Sequence, residues 1–204
     1  MIRTGSEPTI DEAAAVLAAG GVIGMPTDTV YGLAAISSSS GAMRRIFQLK
    51  GRPRHFALPV LVSNLGQAAD LVGRVDPRLQ LLGERFWPGA LTIVVRPERA
   101  PAAELGGDGK TLGIRCPDHE VARALCSRIG PLAVTSANRH GDQPATTAVE
   151  VEAAFDGAID MVLDGGKCDH APSTVVSLVG RTPICLRVGE ISLDDVIATL
   201  QSFD

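Results

Sequence analysis

The chain has 204 residues, 45% of them hydrophobic and 21% charged, with a formal net charge of −4. That balance describes a folded domain with a real core and excludes the strongly basic footprint of a dedicated nucleic-acid binder. Aromatic residues make up only 3%, too few for a platform that stacks single-stranded bases.

The first segment with a clear signal is Thr9-Ile10-Asp11-Glu12, which has the form of a capping box and precedes an alanine-rich helix ending at Gly20-Gly21. Val22 to Met25 predicts a buried strand stopped by Pro26, and Tyr31 to Ile36 a second, with Pro26-Thr27-Asp28-Thr29 as the turn between them. A helix is predicted from the serines at 39 and 40 to Lys50, with Gly51 placed to end it. Leu58 to Val62 predicts a short strand; Asn64 then caps a helix, and Asp76-Pro77 opens another that runs to about Phe86. Leu91 to Val95 is an apolar run suited to a strand covered on both faces.

Ala100 to Gly109 predicts a loop, Thr111 to Cys116 a strand and Asp118 to Ile129 a helix. Leu132 to Thr135 is a strand that leads into Ser136-Ala137-Asn138, and Arg139 to Pro144 is a polar loop. Thr146 to Phe155 is helical and Ile159 to Leu163 a strand. Ser173 to Val179 and Ile184 to Val188 are strands around a turn at Gly180-Arg181, and Ser192 caps a last short helix. Helix-joined and hairpin-joined strands alternate, so the expectation is one α/β domain over residues 1–204, built on an open mixed sheet.

Common cofactor and metal motifs are missing. The four cysteines form no Cys-x-x-Cys pair, His-Glu-x-x-His is absent, and no Gly-x-Gly-x-x-Gly follows a strand. Gly109-Lys110-Thr111 resembles the end of a phosphate-binding loop, but position 104 is Glu104 and the segment precedes a strand. There is no apolar leader and no run of about 18 apolar residues, so neither a signal peptide nor a membrane span is expected. A cytoplasmic location with reduced thiols is the expectation.

Several short segments carry chemistry. Lys50-Gly51-Arg52-Pro53-Arg54-His55 gathers three fixed cations in a turn past a helix end. Paired Lys and Arg there suit a polyphosphate or carboxylate, although cations are also favourable at any helix C-terminus. Thr135 to Asn138 follows a buried strand, and strand C-termini are where open α/β sheets bind ligands. Arg115 and Arg187 lie inside apolar strands, so each must be paired, at an edge, or in contact with an anion. No nucleophile with its base is evident.

Together PTDTVYGL (Pro26 to Leu33), Lys50-Gly51-Arg52, Thr135-Ser136-Ala137-Asn138, Pro172 to Val176 and Leu186 to Ile191 resemble the YrdC-like threonylcarbamoyl-AMP synthases, in the order of that family. The resemblance runs from about Thr9 to Leu200 and is to the short, single-domain form. It implies a twisted sheet with helices on both faces around a large basic concave cleft. It implies an L-threonylcarbamoyladenylate synthase, a nucleotidyltransferase that joins L-threonine, bicarbonate and ATP and releases pyrophosphate. Mg²⁺ would accompany ATP without a protein metal site, and a tRNA-modifying transferase complex would use the product.

By the same resemblance Lys50 and Arg52 are the catalytic cations on the ATP phosphates, and Thr111, Ser136, Asn138, Thr146 and Arg187 complete the ATP site. Thr29, Tyr31, Arg115 and Ser173 form the threonine site. Many relatives carry His near the end of the strand that here reads Val60-Leu61-Val62-Ser63, so Ser63 or His55 is expected to stand in for it. Two other readings share the basic cleft: a tRNA or double-stranded RNA binder without chemistry, and a paralogue acting on another carbamoyl-type substrate. Weak RNA binding is compatible with the synthase as well.

Overall fold

The computed structural model describes residues 2–4, 7–99, 103–168 and 170–201. The elements in chain order are β1 (Ile2–Thr4), α1 (Glu7–Ala18), β2 (Ile23–Met25), β3 (Gly32–Ile36), α2 (Ser40–Lys50), β4 (Val60–Leu61), α3 (Leu65–Val72) and α4 (Pro77–Phe86). They continue with β5 (Leu91–Val95), a 3₁₀ turn at Ala103–Leu105, β6 (Leu112–Arg115), α5 (Glu120–Ile129), β7 (Leu132–Ser136) and α6 (Ala148–Phe155). The last are β8 (Met161–Asp164), β9 (Thr174–Ser177), β10 (Ile184–Arg187) and α7 (Leu193–Gln201).

Local chemistry accounts for most helix boundaries. The Ser39 hydroxyl accepts from Ala42 N, the Asn64 side chain from Gln67 N, and Asp76 from Arg78 N with Pro77 in the first turn. Gly51 ends α2 at φ 60°, in the left-handed region that glycine enters without strain. Ser192 accepts from Asp195 N at the start of α7. Two expectations need correction. Helix α1 begins at Glu7, so Thr9 lies inside it rather than at its cap; the reciprocal capping box is Thr147 with Glu150, on α6. Strand β1 was not expected; three residues give too short a pattern to see. The first residues of the expected loop, 100–102, lie outside the described residues.

Among the described residues the strands form one mixed sheet in the order β1-β8-β2-β3-β7-β4-β6-β5-β9-β10. Pairs β2/β3, β3/β7, β4/β7, β5/β6 and β9/β10 are antiparallel; β1/β8, β2/β8, β4/β6 and β5/β9 are parallel. Helices sit on both faces, but unequally. On one face Ile46 and Phe47 of α2, Leu79 and Leu82 of α4 and Val196 of α7 pack with Val60, Ile93, Ile114 and Val176. On the other, Leu17 of α1 and Leu125 of α5 pack with Ile23, Ala34, Leu61 and Leu132. Because side chains alternate along a strand, residues next to the first set point to the second face. Over β6, β5 and β9 these are Gly113, Arg115, Thr92, Val94 and Val175, and there a cavity replaces a helix layer.

Gly189 fixes the far wall of this opening. A Cβ at that position would overlap Pro172 O and lie 2.5 Å from Ser173 C. Gly189→Ala is therefore expected to push the Pro172-Ser173 backbone and destabilise the fold by about 1–3 kcal/mol. Urea denaturation checks this; a variant as stable as the parent would mean that the two segments do not pack so closely.

Candidate active site

The cavity holds about 400 Å³. Among the described residues three guanidinium groups line it, those of Arg52, Arg115 and Arg187, and no carboxylate does. Arg52 arrives from the turn after α2, Arg115 from the end of β6 and Arg187 from the end of β10. They are far apart in the chain, and the sheet order brings them to one opening.

Each arginine is held mainly by neutral acceptors. Arg52 donates through Nε to Phe56 O at 3.1 Å and through Nη2 to Ala57 O at 3.3 Å. Arg187 donates to Ser173 O and to the Ser173 hydroxyl, both at 2.9 Å. Arg115 donates to Gly89 O at 3.0 Å and to Thr29 Oγ1 at 3.1 Å, and it pairs with Asp28 at 2.6 Å. Burial, then the neighbouring Arg187, lowers the pKa of Arg52; burial, then Arg115, lowers that of Arg187. Both shifts mean that positive charge is crowded and partly dehydrated here.

Hydroxyl groups complete the walls. Thr29 and Thr27 share a hydrogen bond at 3.1 Å, and Thr92 and Ser173 share one at 2.8 Å. The Ser136 hydroxyl donates to Asn138 Oδ1 at 2.6 Å, and that of Thr111 to exposed Asp108 at 2.9 Å. Tyr31 is also on the wall, but its hydroxyl donates to Gly166 O at 2.7 Å, and burial pushes its pKa up to about 12. It contributes surface rather than a proton.

Eight of the residues singled out in the sequence thus line one cavity: Thr29, Tyr31, Arg52, Thr111, Arg115, Ser136, Ser173 and Arg187. Three do not. Lys50, expected on the ATP phosphates beside Arg52, is only 3% exposed. Its ammonium donates to Ser136 O at 2.6 Å, Asn138 O at 2.7 Å and Asn138 Oδ1 at 3.1 Å. An ammonium has three N–H donors, so none is left for a phosphate in this conformation. Burial, then the Arg52 charge, lowers its pKa to about 8. Asn138 is the other half of that knot: its amide nitrogen donates to Arg139 O and Asp142 O, which closes the turn beneath Ser136. Thr146 is occupied at the entry of α6, where its hydroxyl donates to Glu150.

Neither Ser63 nor His55 reaches the cavity; the strand offers Leu61 instead, an apolar wall where a histidine was expected to be replaced by a polar group. Asp28 and Thr92 were not singled out. The need of Arg115 for a counter-charge was the only available signal for Asp28, and its position in the turn before Thr29 is what lets it serve.

A family model, Sua5/YciO/YrdC, described as telomere recombination, matches residues 15–189. The chain belongs to this family. It is 37% identical over 199 residues to a threonylcarbamoyl-AMP synthase of Bacillus subtilis, covering 96% of this chain and 57% of that protein. The Sua5 of Pyrococcus abyssi, solved in complex with L-threonine, superposes with a TM-score of 0.90 at 32% identity, over 98% of this chain and 59% of the other. Escherichia coli YciO superposes with a TM-score of 0.83 at 25% identity, over 92% of each chain. The chain spans little more than half the length of the Bacillus and Pyrococcus proteins.

Within this family site, Lys50→Met should remove three hydrogen bonds at once; Asn138 Oδ1 and Ser136 O keep the Ser136 hydroxyl and the Asn138 N–H as donors, while Asn138 O loses its ammonium. The expected loss of stability is about 2–4 kcal/mol, measured by urea denaturation followed through Trp87. An unchanged midpoint would show that the ammonium does not hold the Ser136-Asn138 turn.

Proposed function

We propose that the protein condenses L-threonine, bicarbonate and ATP into L-threonylcarbamoyladenylate and pyrophosphate. The observation that carries this reading is the convergence of three arginines on a cavity that the described residues line with hydroxyls and without a carboxylate. Such a wall suits a polyanion next to a small hydroxylated amino acid.

The donor count fits two subsites. A guanidinium has five N–H donors. Arg52 and Arg187 each spend two on the protein, leaving three apiece for phosphate oxygens. Ser136 and Thr111 flank the nucleotide. Arg115 spends three, and its remaining two suit the threonine carboxylate, with Thr29, Ser173 and Tyr31 around the side chain. Mg²⁺ would enter with ATP, held by the phosphates themselves.

The chemistry then needs no protein nucleophile. The threonine amine attacks the carbon of CO₂ and loses a proton, or attacks bicarbonate and expels water, and either route gives a carbamate. A carbamate oxygen attacks the α-phosphorus, and the bond to the bridging oxygen breaks as pyrophosphate leaves. Arg52 and Arg187 offset the charge that grows on the leaving group, and the cavity aligns the reactants. In the cytoplasm a separate transferase complex would pass the threonylcarbamoyl group to tRNA.

The test is pyrophosphate release from ATP and bicarbonate with each amino acid in turn. Release that depends on threonine is expected; release with another acceptor in its place would redirect the reading to a paralogue. Arg187→Ala and Arg52→Ala should each lower kcat/KM by about 10²–10³ while thermal melting changes little, since each gives up two hydrogen bonds but also relieves like-charge crowding. Full activity in either variant would remove that arginine from the phosphate site.

A further inference from the structure

Phe56 is the one aromatic residue among the exposed large apolar side chains of the described residues, with 45% of its surface open. It stands at the edge of the cavity, between Arg52 and the lining residue Ala57. The Arg52 guanidinium carbon lies 5.3 Å from the centre of its ring. The His55 ring centre is 4.2 Å away and that of His140 is 5.9 Å away, both tilted. His140 comes from the loop after Asn138, and its backbone N–H donates to Lys50 O at 2.7 Å. The loop after α2 and the loop after β7 therefore meet on this ring.

The geometry of Arg52 shows what the ring adds. Hydrogen bonds to Phe56 O and Ala57 O fix two of its five N–H groups. Two bonds to one short stretch of backbone leave the guanidinium free to tilt about them. A ring beneath its face removes that freedom without consuming a donor, because a cation over an aromatic face uses its plane and leaves its N–H edges available.

We infer that Phe56 is a positioning residue: its ring sets the plane of the Arg52 guanidinium and so aims three N–H donors at the phosphate chain of the nucleotide. The inference rests on the proposed nucleotide site and deepens it. It assigns an ATP-orienting part to a side chain that is itself not required to touch the substrate.

Calorimetric titration of the full chain with ATP, and with inorganic pyrophosphate as a probe that lacks a base, tests this. The proteins are the parent, Phe56→Leu, Phe56→Trp, Arg52→Ala and the Arg52→Ala/Phe56→Leu double variant. Phe56→Leu should weaken both ligands about three- to fivefold, and Phe56→Trp should restore binding, as expected for a cation over a ring. In the Arg52→Ala background Phe56→Leu should change nothing further. Equal binding by Phe56→Leu and parent, or an undiminished loss without Arg52, overturns the inference. A loss confined to ATP overturns it too, because the ring would then be acting on the base. If the parent protein binds neither ligand, the nucleotide reading falls first, and that is seen before any substitution is made.

Discussion

Three like charges are held in one opening with a single carboxylate, Asp28, in contact with one of them. This crowding is the constraint on which the site depends. In bulk water three arginines would separate; here the sheet fixes their backbones, and neutral oxygens from Phe56, Ala57, Gly89 and Ser173 hold their side chains. Neutral acceptors satisfy N–H groups but do not cancel charge, so the repulsion among the three guanidinium groups persists. Burial first, and this repulsion second, lowers the pKa values of Arg52 and Arg187. A polyanion entering the cavity relieves it, which ties ligand affinity to the same electrostatic strain that the aliphatic core must hold in check. Ligand that binds only the folded state also raises stability, by about 2.7 kcal/mol at a hundred times its Kd.

The sheet makes this arrangement possible because its strands are two-sided. On β6, Ile114 belongs to the core while Gly113 and Arg115 line the cavity. On β5, Ile93 is core while Thr92 and Val94 face the opening. One layer of helices backs the whole working surface, and α1 and α5 cover the other face only beside it. The same register that buries the aliphatic set therefore presents the polar set, and a slip of one residue would exchange them. Site precision is a consequence of core packing here, not an addition to it.

How much of this was legible in the sequence follows from how local each signal is. Helix caps at Ser39, Gly51, Asn64 and Asp76 depend on neighbours within four residues, and they were found. Arg115 and Arg187 stood out because a charge inside an apolar strand must be accounted for nearby. Lys50 was misplaced because its acceptors lie 86 and 88 residues away, and nothing in its own segment points to them. Thr146 sits beside a capping box whose Glu150 accepts from its hydroxyl, a contact within four residues. Leu61 was passed over because an apolar residue in a strand normally means core, and only the gap in the helix layer turns it into a cavity wall.

The pattern Lys-Gly-Arg divides its labour at the glycine. Helix α2 runs through Lys50, so the lysine side chain leaves from a regular helical turn, and it passes inward to the Ser136-Asn138 turn. Gly51 then adopts the left-handed conformation and reverses the chain. Arg52, one residue later, emerges on the cavity side. A side chain at position 51 would meet no neighbour within 4 Å, so its glycine answers to backbone conformation and not to space. Two cations that look equivalent in the sequence thus sit in unlike surroundings: the lysine has three donors engaged at the turn that carries Ser136, and the arginine lines the cavity with two of its N–H groups engaged. The backbone at Gly51 is what separates them.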